Sequence, residues 1–513
     1  MNARSIALLA AVAILAGAVA RPVAARAETC SLELKRLEGG PSVALGPGSD
    51  YIYRATYPQG FFMQISDQEG GPSHNPSAEA FARIVKKEPA KYNARHPYRG
   101  VATLGGHEFA FVLDAAKPEP EPEAKPEKPK SAPDASAPTR VLPTPYARLY
   151  FDFNRNGDLT DDKPVEAVES PFAGRSGPSF PRIDLTLDAG GTRFEYSFSL
   201  RAYAYGSEQF RYVSGQINSA AYREGKITLN GKQRRLVLID FNSNGRFDDA
   251  FKVRDVVAPD GRVYPEFGDV LLVDPDPADP RGMMGIYDLA PATSRYPVAS
   301  LVYLDGRYYD LEITPAGDKL TMTASSAPLG SVSNPNEGFG AVVYGDRGFV
   351  KITGGKGEPT PLPVGKWKLL AYTIDHTGYD PPPKPKDDAK KEGGGSLLES
   401  LASALMGAAG SSVPEVPRPR FTFVSAQATR DYPAIEVREG ETAKLPFGPP
   451  YRPVVTVSYP EGEGKVSLAM NVVGSVGEHC TDLYVDGGRP KAPEFTIVGP
   501  DGKEVDRGKF EYG

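Results

Sequence analysis

The stretch RLYFDFNRNGDLTDD at residues 148–162 returns in its essentials as RLVLIDFNSNGRFDD at residues 235–249. Each starts as an apolar run of strand length and breaks into Asp-Phe-Asn-x-Asn-Gly, a turn rich in side-chain oxygen that closes on two acids. Leu236, Val237, Leu238 and Ile239 are continuous rather than alternating, the pattern of a strand buried on both faces. Two strands that each run into an oxygen-rich turn predict a sheet protein with its chemistry at strand ends.

Outward from these stretches the dominant period is two. Phe194, Tyr196, Phe198 and Leu200 alternate with Glu195, Ser197 and Ser199, and Val466, Leu468, Met470 and Val472 alternate with Ser467, Ala469 and Asn471. Both runs predict half-buried strands. Asn230-Gly231, Asp305-Gly306 and Asp501-Gly502 each divide two strand-like segments, which is the local chemistry of a hairpin. A helix is expected over Ala78 to Glu88, with Ser77 as N-cap, Phe81, Ile84 and Val85 on one face and Pro89 as the stop. Two low-complexity inserts interrupt the pattern. Residues 117–138 mix Pro with Glu, Lys, Ala and Ser, and residues 380–420 run from a Pro/Lys string through three glycines, so neither can build a core. Strand-like runs flank both inserts, Phe109 to Leu113 with Ala147 to Phe151 and Trp367 to Tyr372 with Phe421 to Val424, so both read as long loops within a domain. The expected fold class is mainly β, with antiparallel β-sandwich domains, one short helix near the N-terminus and two long disordered inserts. The expected divisions are a signal peptide at 1–27, a β-rich domain at 28–275 carrying both loops, and a C-terminal sandwich domain or domains at 276–513.

The signal peptide rests on Arg4, the apolar run Ile6 to Ala20 and the small-x-small site Ala25-Arg26-Ala27. Export to the periplasm, cell surface or medium follows as an expectation. Loss of Arg4, Arg21 and Arg26 would take the formal charge from -6 to -9, and no basic cluster suits nucleic acid or anionic membrane. No stretch after the leader approaches the roughly 20 apolar residues of a transmembrane helix. Cys30 and Cys480 are the two cysteines of the chain. In an oxidising compartment they either bridge or remain as buried thiols, and the sequence leaves both open.

The spacing of the two turns is that of a calcium loop. Calcium takes six to eight hard oxygens, and a loop converges them when alternate side chains point inward around a sharp bend. Positions one, three and five are Asp152, Asn154 and Asn156 in the first loop and Asp240, Asn242 and Asn244 in the second. Gly157 and Gly245 follow, where positive φ is needed. Asp158 or Arg246 would offer a backbone carbonyl, and Asp161 with Asp162, or Asp248 with Asp249, would complete the shell. The competing reading is a plain turn, because Asn-Gly closes hairpins and Asp and Asn close Asx-turns without metal.

In their first six positions the loops resemble those of EF-hands and, more closely, of dockerin and thrombospondin type 3 repeats. Lys163 and Phe251 stand where an EF-hand has its bidentate acid, and each loop follows a strand. The resemblance thus implies structural calcium held with a dissociation constant of about 10⁻⁴ to 10⁻³ M, not a sensor. Pro363-Val-Gly365-Lys-Trp367 resembles a turn and strand of transthyretin-like sandwiches, with Trp367 either core or sugar platform. Phe61-Phe-Met-Gln, His96-Pro-Tyr-Arg-Gly-Val-Ala, the first calcium-type loop and Gly508-Lys-Phe-Glu-Tyr-Gly together resemble uncharacterised secreted bacterial proteins, chiefly of planctomycete type. That resemblance implies export and carries no activity.

Catalytic signatures are sparse. His74, His96, His107, His376 and His479 have no zinc-binding spacing, and no Gly-x-Ser-x-Gly elbow occurs. The expectation is a non-catalytic exported β-protein with structural calcium that binds a glycan or protein partner. The alternatives are a secreted hydrolase acting on glycans through dispersed carboxylates and a self-associating surface protein.

Overall fold

The computed structural model describes residues 27–37, 50–66, 74–118, 140–142, 146–168, 179–206, 210–254, 258–277, 294–379, 419–459 and 466–511. The expected leader except Ala27 and most of both inserts lie outside these residues.

The chain is mainly β, built of sheets packed as sandwiches and antiparallel except where Leu329–Ser333 pairs with Thr442–Lys444, with Ala78–Ile84 as the one α-helix among the described residues. The strand Lys232–Ile239 decides the arrangement. It is central in a five-stranded sheet, between Ala221–Leu229 and Val270–Val273. Leu236 and Leu238 enter one core, while Val237 and Ile239 enter another on the opposite face. Full burial of four such side chains stabilises the sheet by roughly 1.5–3 kcal/mol each. The continuous run is therefore buried on both faces, as its pattern predicts.

His107–Ala115 pairs with Tyr146–Phe151, and Gly365–Asp375 pairs with Phe423–Gln427, so each insert falls between two hydrogen-bonded strands, the first with the short strand Arg140–Leu142, paired to Thr192–Gly206, interposed. Asn230-Gly231 and Asp305-Gly306 form two-residue hairpin turns with positive φ at all four residues. The expected boundary at 275/276 is spanned by pairing: Val270–Val273 bonds to Arg295–Pro297, and Ala27–Ser31 bonds to Lys319–Ala324. One core accordingly runs from Cys30 to Met322, and a second gathers residues from Leu301 to Phe447. No helix among the described residues is long and apolar enough to cross a membrane.

Two expectations change, both at the helix. The helix ends at Ile84, not Glu88, because Val85 is extended and the next two residues bond to the first oxygen-rich loop, Lys86 N–H to the Gly157 carbonyl at 2.8 Å and the Lys87 carbonyl to Leu159 N–H at 3.0 Å. Ser77 makes no side-chain cap; its own N–H donates to Asn75 Oδ1 at 3.0 Å. Cys30 and Cys480 are free thiols, Cys30 inside the larger core and Cys480 packed against the second. Leu468, Met470 and Val472 are half-buried and alternate with exposed Ser467, Ala469 and Asn471, as their period predicts, in a ribbon of Arg452–Ser458 with Ser467–Val473 that leaves Val455, Val457 and, just before it, Val466 exposed. Trp367 is core: it is buried and donates from Nε1 to the Pro363 carbonyl at 2.8 Å.

Candidate metal centre

Each predicted loop starts one residue past the end of a buried strand, so its first acid is carried into the interior. Asp152 and Asp240 are both wholly buried. Asp152 accepts from the N–H groups of Asn156 at 3.1 Å and Gly157 at 3.0 Å, and Asp240 accepts from those of Asn244 at 3.1 Å and Gly245 at 2.8 Å. The third and fifth residues form Asx-turns. Asn154 Oδ1 accepts from Asn156 N–H at 3.0 Å, and Asn156 Oδ1 accepts from Asp158 N–H at 2.7 Å. In the second loop Asn244 Oδ1 accepts from Arg246 N–H at 2.9 Å.

The side-chain amides of the asparagines turn onto a shared acid. Asn156 Nδ2 donates to Asp161 Oδ2 at 2.6 Å, and Asn244 Nδ2 donates to Asp249 Oδ2 at 2.7 Å. Asp161 and Asp249 are thus equivalent. The glycines are required: Gly157 and Gly245 have φ of 82° and 79°, and a Cβ would stand 2.6 Å from the Ile84 carbonyl and 2.7 Å from Gly105 N.

The remaining predicted acids differ in role. Asp162 Oδ2 accepts from Phe153 N–H at 3.0 Å. Asp248 faces Arg246, which donates to both its oxygens, from Nη2 at 2.7 Å and Nε at 3.0 Å. Asp158 pairs with Lys87 at 2.8 Å, and that bond, with those from Thr160, holds its carboxyl down at about 2.

Asp269 is the residue that sequence reasoning missed. It is wholly buried, accepting from Phe241 N–H at 3.2 Å on Oδ1 and from Asp249 N–H at 2.8 Å on Oδ2. The ladder register brings it there: Ile239 pairs with Val270, so Asp240 and Asp269 meet just past the end of that ladder. An acid abutting a wholly apolar strand, Gly268-Asp269-Val-Leu-Leu-Val, was the available signal.

The second loop therefore gathers Asp240, Asp249 and Asp269, and the first gathers Asp152, Asp161 and Asp162. Among the described residues no Lys, Arg or His forms an ion pair with any of the six. Burial pushes the Asp240 carboxyl up to about 7 despite the bond donated by Tyr196 Oη at 2.6 Å. Burial and then the charge of Asp240 raise Asp269 well above the usual carboxylate range, and burial likewise raises Asp162. As the side chains stand, no group of three or more His, Cys, Asp or Glu among the described residues forms a ligating cage. The donors are nonetheless hard oxygens with spare lone pairs, the set that suits calcium rather than zinc.

No protein-family model, no curated protein and no solved structure matches this chain.

Proposed function

We propose that the chain is an exported, non-catalytic β-scaffold in which calcium locks two strand ends, leaving its sheet faces to bind a glycan or protein partner. Asp240, Asn242, Asn244, Asp249 and Asp269 would hold one ion, and Asp152, Asn154, Asn156, Asp161 and Asp162 the other. The ion would supply positive charge to acids that have no cationic side chain beside them.

The observation that carries this reading is the Asp240–Asp269 pair. Two wholly buried carboxylates stand together, with a third acid beside them and no ion pair among the described residues. An unpaired charge so placed costs several kcal/mol, and the group either takes up a proton or finds a cation. The oxygen-rich loop around it favours the cation at neutral pH. Export is supported by the N-terminal pattern of charge, apolar run and small residues.

The test is thermal melting of the full chain without its leader, first in EDTA and then across a calcium titration. A rise in melting temperature that saturates with calcium, and that magnesium does not reproduce, is expected. Superimposable melts up to 10⁻² M, about ten times the weakest affinity expected of such loops, would reduce both loops to ordinary turns.

A further inference from the structure

We propose that the ribbon of Arg452–Ser458 with Ser467–Val473 pairs with the same ribbon of a second copy of this chain, edge to edge and antiparallel about Thr456. Among the described residues Arg452–Ser458 is the last strand of its sheet. Its ladder pairs Pro453 with Val472, Val455 with Met470 and Val457 with Leu468, so these six apolar side chains share one face. The inner three are half-buried, but Val455 is 48 % exposed and Val457 47 %, and Tyr459, just past them, is 76 % exposed. An outer-strand side chain has a cross-strand neighbour on one side only, which leaves its other flank to water.

The backbone of that edge is open as well. Pro453 has no N–H to give to Val472, so the alternation of the ladder turns the N–H and C=O of Val455 and Val457 outward, away from the inner strand. A row of outward backbone groups is completed by another strand, not by a helix or a sugar.

Charge and symmetry select a second copy as that strand's source. Sheet edges are commonly guarded by charged side chains. Neither residues 453–459 nor residues 466–473 include one, in a chain whose formal net charge is -6. The edge therefore has no charge with which to recruit a foreign strand, while two acidic copies meet at least cost where neither is charged. The run is also its own complement. With a two-fold axis at Thr456, Val455 of each copy stands opposite Val457 of the other and exchanges both backbone bonds with it, the two Thr456 side chains meet, and Tyr459 lies against Pro453 on the same face. Each exposed outer side chain thereby gains the flank it lacks. The pairing uses up the edge that makes it, so assembly closes at two copies.

This inference rests on the scaffold reading above, whose protein partner it names, and not on its calcium. The test is size-exclusion chromatography with light scattering on the full chain without its leader, in calcium and in EDTA, at about 1 to 100 µM, the range in which a small interface saturates. A dimer is expected in both. Val457→Lys sets a charge on the edge and should raise the dimer dissociation constant roughly a hundredfold with the melting temperature retained. Thr456→Cys reads the register, since thiols at the axis stand within disulfide reach while those of Ser458→Cys are about 14 Å apart. Diamide should link the Thr456→Cys copies and leave Ser458→Cys and the parent unlinked. A chain that stays monomeric throughout, as it would if a different protein or another segment of this chain covered the ribbon, overturns the proposal. So does a dimer indifferent to Val457→Lys, or one that diamide links at Ser458→Cys as readily as, or in place of, Thr456→Cys. A dimer formed while calcium leaves the melt unchanged would remove the calcium reading alone, and a calcium-shifted melt of a strict monomer would remove this inference alone.

Discussion

Asp162 and Asp269 do the same work in the two loops, one receiving the N–H of Phe153 at 3.0 Å and the other that of Phe241 at 3.2 Å, although one lies inside its loop and the other arrives on a separate strand. The difference is burial. Asp269 is shut away from water while Asp162 is half-buried, and Asp161 is exposed where Asp249 is half-buried. A divalent ion gains more from a charge that water does not screen.

The second loop should therefore hold calcium more tightly. Asp269→Asn is expected to remove most of the calcium-dependent rise in melting temperature, and Asp162→Asn a smaller share. At free calcium a hundredfold above the dissociation constant each intact site contributes about 2.7 kcal/mol. Scanning calorimetry with and without calcium checks the order of the two variants, and equal losses would contradict it.

Without calcium, pH acts through Asp240. Its carboxyl titrates at about 7 in the folded chain and near the ordinary 3.8 when unfolded, so between these values the native state holds the extra proton. Stability from this group is complete below the unfolded value and is lost as pH rises through the folded one. Urea unfolding in EDTA should show stability falling from pH 5 to pH 8. Calcium should flatten that fall, and Asp240→Asn should reduce it while Asp269, raised by burial, keeps the remainder; an unchanged slope in the variant would assign the pH dependence to other groups.

Much of this was legible in the sequence because it is local. The continuous run Leu236–Ile239, the alternation of Phe194 to Leu200 and the Asn-Gly and Asp-Gly turns each depend on neighbours within a few residues. Asp152, Asn154 and Asn156 could be grouped for the same reason. Asp269 could not, since only the pairing of Ile239 with Val270 delivers it. The early end of the helix was hidden likewise, because the Gly157 carbonyl that captures Lys86 belongs to a loop far along the chain. The strand Ser467–Val473 was legible in the same local way, its Leu468, Met470 and Val472 being half-buried as the alternation predicts.

The loop glycines separate close approach from backbone conformation alone. Gly245→Ala should destabilise by well over 1 kcal/mol, since a left-handed residue would also drive its Cβ into Gly105. Gly231→Ala, with φ of 77° and nothing within 4 Å, should cost about 1–2 kcal/mol from conformation only. Chemical denaturation of both variants checks the difference, and equal costs would show that loop packing is slack.

The thiols provide an independent check on the two cores. Burial pushes Cys30 up to about 11 and Cys480 up to about 12, so neither is a ready nucleophile at neutral pH. Native protein prepared without reductant should react slowly with a thiol reagent, and the denatured chain should then yield both thiols. A denatured chain yielding none would mean that the cores pack differently and the cysteines are bridged.

The central claim is that the buried acids at Asp240 and Asp269 exist to meet a cation, and calcium titration calorimetry on chelator-stripped protein tests it most directly. Binding at two sites is predicted, the tighter one abolished by Asp269→Asn while the weaker persists. Absence of binding at millimolar calcium, or two sites indifferent to that substitution, would contradict the account.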